Sequence, residues 1–210
     1  MRYTACLFVA AAACGEVKQQ RLPDGPPAPD DAGLDAPIDT PAACTTFNSA
    51  WQTNAISFDT DIAPTARADF ETRGDGITGV TAGTPVPRDE YLACCGFRLD
   101  YLGPAGGQLI WAGNAVGGFE VRASCQTFPC PSPAGIRVTF VPPVTAVGVD
   151  YPGGIDAAMF NAQNNLISSM SVMGSGNNFL GYKSAVPIDH AEVTDGGGEN
   201  IQRLLYHRCP

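Results

Sequence analysis

The sequence predicts an all-β fold, an antiparallel β-sandwich of about ten short strands. Three observations point there. Apolar residues alternate at period two along much of the chain after residue 44, the mark of half-buried strands. Glycine and proline, 24 and 18 of 210 residues, break these runs at short intervals. Long runs with helical periodicity are missing.

In chain order, AISFD (55–59), RADFE (67–71), YLACCGFRLDYL (91–102), QLIWA (108–112) and GFEVR (118–122) read as strands. In residues 136–141, Ile136, Val138 and Phe140 share one face; Pro142-Pro143 then interrupts, and Val147, Val149 and Tyr151 resume the alternation. Residues 157–160 precede the turn signal Gln163-Asn164-Asn165. Leu166, Met170 and Val172 follow on one face, with Ser169 and Ser171 on the other, which predicts a hairpin with a polar outer side. Segments 179–182, 188–193 and 201–206 complete the set.

The first 43 residues have a different character. Arg2 precedes an apolar run from Ala5 to Ala13 that is too short to span a bilayer, which takes about 20 residues. It has the length of a signal-peptide core. The run ends at Ala11-Ala12-Ala13-Cys14-Gly15, which resembles the lipobox of bacterial lipoproteins, with Ala11 where leucine is usual. The resemblance implies cleavage after residue 13 and lipidation of Cys14. Residues 14–43 are then a tether. They are rich in proline, aspartate and alanine, lack aromatic residues, and set six acidic side chains against Lys18 and Arg21. Such a segment cannot bury enough apolar surface to offset its ordering entropy and is expected to be disordered. A single domain is expected over 44–210, anchored to the membrane through the lipid and facing outward from the outer membrane or cell surface.

That domain carries fifteen acidic residues against nine basic ones, with Lys183 its sole lysine. No basic cluster exists to track a phosphate backbone, which excludes nucleic acid as a partner. Its six cysteines, Cys44, Cys94, Cys95, Cys125, Cys130 and Cys209, are even in number and fit no zinc-ligand spacing, so disulfides are expected. Six cysteines allow fifteen pairings. The short loop from Cys125 to Cys130 lets their Cα atoms approach the roughly 5.5 Å a bridge prefers. A Cys94–Cys95 bond would close an eight-membered ring, and in an extended strand the two side chains diverge. The expectation is therefore one bridge from this dipeptide to Cys44 and another to Cys209.

From Gly135 onward the chain resembles the jelly-roll β-sandwich domains of exported bacterial proteins, of the PEP-CTERM type and the carbohydrate-binding-module-like type. The residues that carry the likeness are Val138-Thr139-Phe140, Val144-Thr145-Ala146-Val147-Gly148, Phe160-Asn161-Ala162, Ser169-Met170-Ser171-Val172 and the run from Phe179-Leu180-Gly181-Tyr182 to Pro187-Ile188. The last element departs, with Glu199-Asn200-Ile201-Gln202-Arg203-Leu204 where those domains have an acidic strand. The resemblance covers about 75 residues and implies a fold; function depends on the site.

Several side chains are candidates for chemistry. Trp111 with Asn114 could offer a ring and a polar neighbour to a sugar, although alternation places Trp111 with Leu109 on a core-facing side. Asp59, Asp61, Asp69 and Glu71 cluster early, and pairs two apart on extended chain share a face, which suggests a structural calcium site. Arg73-Gly74-Asp75 is an RGD triplet, read here as turn chemistry. His190 and His207 are the only histidines. Neither belongs to a nucleophile elbow or a metalloprotease motif, and both read as surface residues. No catalytic residues are expected. The expected function is a binding module for glycans; a structural or adhesive envelope protein with a protein or polymer partner is the alternative.

Overall fold

The computed structural model describes residues 45–114, 117–125, 134–195 and 200–208. The expected signal segment, Cys14, the expected tether, Cys44, Cys130 and Cys209 lie outside these. The described elements run β1 (Ala50–Gln52), α1 (Ala55–Asp61), β2 (Ala66–Ala68), α2 (Leu92–Cys95), β3 (Phe97–Leu102), β4 (Gln108–Gly113), β5 (Phe119–Ser124), β6 (Ala134–Pro152), β7 (Ile155–Phe160), β8 (Leu166–Val172), β9 (Asn177–Asp195), β10 (Asn200–Ile201) and β11 (Arg203–Arg208).

Two 19-residue strands organise everything else. β6 and β9 pair antiparallel from Ala134↔Asp195 to Pro152↔Asn177, with the register shifting between Thr139 and Ala146. Pro142, Pro143 and Pro187 fall in that region and lack the N–H a ladder needs. The prolines mark a break in the ladder without ending either strand. Each long strand therefore serves two leaves. One leaf reads β8–β7–β9–β6–β3 and uses the C-terminal half of β9 with the N-terminal half of β6. The other reads β1–β9–β6–β11–β2 and uses the opposite halves.

Side chains bridge the two leaves. Tyr206 of β11 touches Phe97 of β3 and Phe140 of β6, at ring-centroid distances of 5.9 and 5.6 Å. Trp51 Nε1 of β1 donates to Ser168 Oγ of β8 at 2.9 Å. Val147, Val149, Tyr151, Leu180 and Tyr182 from one leaf join Ile136, Val138, Ala157, Ala191 and Val193 from the other in one core. This is the antiparallel β-sandwich that the alternation predicts, with the jelly-roll-like form that the resemblance implies. A small sheet, β10–β5–β4, adds Leu109, Trp111, Val121 and Ile201 to the same core.

The outer face of the second leaf is covered by α1. Its Phe58 and the C-cap residue Ile62, both fully buried, pack with Phe179, Ala146 and Leu205 as a second, smaller core. Gly148 and Gly181 stand opposite each other in the ladder. A Cβ at either would come within 2.6 Å of a phenyl carbon of Phe58 or Phe179. The glycine pair is thus the seat of the Phe58 ring.

Four expectations are corrected. Residues 55–59 are helical: Asn54 Oδ1 accepts from Ser57 N at 2.9 Å as the N-cap. Ile56 is 79% exposed and Phe58 is fully buried; residues two apart share a face on a strand and nearly oppose each other on a helix. Residues 92–95 form one helical turn, ended by Gly96 at φ 71°, and only 97–102 is strand. The predicted strand at 67–71 stops at Ala68, and Phe70 takes φ 59°. In β8 the register shift puts Leu166 opposite Phe160, while Ser168 faces Met159 and Met170 faces Ala157. Leu166 thereby leaves the inner face it was expected to share with Met170 and Val172.

Candidate ligand-binding cleft

A cleft of about 560 Å³ opens on the outer side of the second leaf, beside the N-terminal end of α1. Residues 53–56 form one wall. The others come from the end of β6 (Asp150, Tyr151), the start of β9 (Asn177, Asn178, Phe179), Val172 and Gln202. The β6–β9 and β6–β11 registers bring these distant positions together. Asp150 lies opposite both Phe179 and Arg203.

The lining mixes amide groups with apolar surface and is nearly uncharged. Asp150 is the one charged residue among the described residues that line it, and Arg203 Nε sits 2.5 Å from its Oδ2. Four amides contribute. Asn54 caps α1. Asn178 Nδ2 donates to the Gly153 and Gly176 carbonyls at 2.9 and 3.2 Å, which ties the β6–β7 and β8–β9 turns together. Gln202 Nε2 makes two long bonds, 3.4 Å each, to Asn177 Oδ1 and Glu120 Oε2. Bonds of that length are weak and readily exchanged for a ligand's. Ile56 supplies exposed apolar surface. Tyr151 is fully buried and Phe179 is 7% exposed, so neither ring offers an open face.

The residues singled out in the sequence lie elsewhere. Trp111 is 2% exposed. Its Nε1 donates to Tyr91 Oη at 3.2 Å, and the Arg73 guanidinium lies 5.4 Å from its ring centre. It cannot present a platform to a sugar. Asn114 shapes the β4–β5 turn, where its Oδ1 accepts from Gly118 N at 2.8 Å. The calcium expectation is also corrected. Helix α1 turns Asp59 toward Arg67 and Asp61 toward Lys183 and Gln52. Asp69 accepts from Glu71 N, and Glu71 Oε1 accepts from Phe119 N at 3.0 Å. Among the described residues no group of three or more His, Cys, Asp or Glu could hold a metal ion.

The RGD triplet is consumed by its own loop. Arg73 grips both oxygens of Glu90 at 3.0 and 2.6 Å. Asp75 accepts from Ile77 N, Thr78 N and Thr78 Oγ1, and these bonds pull its carboxyl down to about 2. Gly74 packs directly on the Glu90 carbonyl, where no side chain fits. Nearby, burial pushes the Tyr91 phenol up to about 12.

Neither histidine is a surface residue. His190 is 5% exposed on β9, between β6 and β7, stacked on Phe160 at 4.8 Å. Its Nδ1 lies 3.0 Å from Asp189, so these neighbours meet despite strand alternation. His207 is 4% exposed, with Nδ1 2.7 Å from the Ile62 carbonyl. Both lie away from the cleft.

The cysteine pairing differs from the expectation. Cys94 and Cys95 are bonded to each other. The helical turn at 92–95 removes the divergence that an extended strand would impose on neighbouring side chains. The expected bridges from this dipeptide to Cys44 and Cys209 are therefore overturned. Cys125 is disulfide-bonded, and its expected partner Cys130 lies outside the described residues.

No protein-family model matches the chain, and no curated protein matches it. Among solved structures it is similar to a family 29 carbohydrate-binding module variant, with 11% identity and a TM-score of 0.38 over 68% of this chain and 90% of that one. A second variant of that module, complexed with mannohexaose, gives 11% and 0.37 over 68% and 91%. The enzymatically active domain of bacteriophage CBA120 tailspike protein 4 gives 12% and 0.30 over 60% and 20%. Likenesses this weak carry neither fold nor function to this chain.

Proposed function

We propose that the domain is a non-catalytic binding module for a neutral glycan, held outside the cell by a lipid on Cys14. The observation that carries this reading is the composition of the cleft. Amide groups that both donate and accept, beside exposed Ile56, suit a ligand with many hydroxyls and apolar C–H faces. The neutralised Asp150 favours an uncharged ligand over an anion or cation. Glycoside hydrolysis takes two carboxylates about 5–10 Å apart, and among the described residues one, Asp150, lines this cleft.

A glycan array followed by titration calorimetry tests the site. Replacing Gln202 and Asn177 together by alanine should weaken binding about tenfold or more, roughly 1.4 kcal/mol, with the melting temperature held. A chelator should leave affinity unchanged. Absence of any neutral glycan ligand, or wild-type affinity in the double variant, would sink this assignment.

Anchoring is tested separately, on the full-length precursor. A palmitate analogue should label the wild type and leave Cys14→Ser unlabelled. Label on the variant, or none on the wild type, overturns the lipid anchor and leaves the cleft reading intact.

A further inference from the structure

The Cys94–Cys95 bridge joins neighbouring residues, and that adjacency removes the usual structural reason for a disulfide. A bridge stabilises largely by restricting loops of the unfolded chain, so its effect grows with the number of residues enclosed. This one encloses none. Other groups already hold the turn that carries it. Tyr206 Oη donates to the Cys95 carbonyl at 2.6 Å, and Arg208 Nη2 donates to the Cys94 carbonyl at 3.1 Å. Gly96 closes the turn in the left-handed region, and its carbonyl accepts from Val141 N at 2.7 Å.

The bridge is also reachable. Cys94 is exposed, while Cys95 is partly buried against the core. Both line a second cleft of about 250 Å³, whose rim holds Arg67, Asp69, Arg73 and Asp75. Arg67 and Arg73 are paired with Asp59 and Glu90. A small thiol, or a thiol on a protein surface, can approach the Cys94 sulfur through this opening.

We propose that Cys94–Cys95 is a reversible thiol–disulfide exchange site, a two-electron centre that opens and closes without unfolding the domain. Its co-reactant is a dithiol. One thiolate of the dithiol attacks the Cys94 sulfur, which lines the cleft on an exposed residue. The Cys94–Cys95 bond breaks, and its electron pair leaves on Cys95 sulfur, which takes up a proton. The second thiol of the co-reactant loses its proton and attacks its partner sulfur in the mixed disulfide. Cys94 leaves as a thiolate and is protonated. Two electrons and two protons have then passed to the protein, and the co-reactant is a cyclic disulfide. Reaction with an oxidised dithiol runs the sequence backward.

The test uses the folded, oxidised protein with dithiothreitol, timed alkylation and peptide mapping. Cys94 and Cys95 should become alkylated at least ~10-fold faster than Cys125, with the far-ultraviolet circular dichroism unchanged. The Cys94→Ala/Cys95→Ala double variant should melt within ~2 °C of the wild type. Labelling of the pair only as the domain unfolds overturns the proposal. So does a drop of more than ~5 °C in the double variant, or mapping that joins either cysteine to another one.

Discussion

Replacing Phe58 by alanine is expected to destabilise the domain by about 3–5 kcal/mol, lowering Tm by roughly 10 °C or more. The ring is fully buried over the Gly148–Gly181 pair and lies 5.3 Å from the Phe179 ring centre. Phe58 is the one buried side chain within Ala55–Asp61, so truncation leaves a cavity on a glycine floor. Ile56→Ala, two residues away on the exposed side, should change stability by about 0.5 kcal/mol or less. Gly148→Ala should destabilise through a clash with the aromatic rings, and that clash should shrink when Phe58 is already alanine. A double-mutant cycle by chemical denaturation measures the coupling. A cost below about 1 kcal/mol for Phe58→Ala would mean that α1 does not dock on this face.

The second large effect is expected at Tyr206. Its ring fills the space between the leaves, against Phe97 and Phe140. Tyr206→Ala should cost about 3–5 kcal/mol, as large aromatic truncations do. Tyr206→Phe keeps the ring and loses the hydroxyl's bonds, to the Cys95 carbonyl and with Arg208, for about 1–2 kcal/mol. Burial raises the Tyr206 phenol above its ordinary value. An unfolded tyrosine ionises near pH 10 while the folded one still holds its proton. The stabilisation is therefore complete below about pH 10 and is lost as pH rises through the folded value. Tyr206→Phe should reduce this alkaline loss, and Tyr91, also raised by burial, should account for part of what remains. Equal alkaline sensitivity in wild type and Tyr206→Phe would argue against the buried hydroxyl.

Much of the sandwich was legible in the sequence because its strands bury one face. Ile136, Val138 and Phe140 alternate with the less buried Arg137, Thr139 and Val141; Val147, Val149 and Tyr151 keep the same period although α1 also buries the opposite face at Ala146, and all six lie in the main core. Alternation over a short apolar run is ambiguous where one residue carries the burial. Ile56 and Phe58 looked like two inward positions of a strand, and the Asn54 cap makes that segment a helix. The same error extended to Asp59 and Asp61, whose supposed common face disappears once the backbone winds. Cys94 and Cys95 belong to a helical turn where the sequence suggests a strand, and the divergence that would send their bridges to Cys44 and Cys209 is absent there.

The alternation of apolar side chains and the spacing of glycine and proline determined the fold class by themselves, since a half-buried strand imposes its period on the residues that form it. Only the tertiary structure decided where a ligand would sit. Asn54, Asp150, Asn177, Asn178 and Gln202 are scattered along the chain, and no local pattern links them. The register of β6 with β9 and β11 brings them to one end of a leaf, and α1 supplies the remaining wall. Register is a property of paired strands, and loop closure leaves few marks on the residues it brings together. The same holds for Phe58 on the Gly148–Gly181 pair: each glycine could have been a turn residue, and the opposing strand makes the two a seat for a ring.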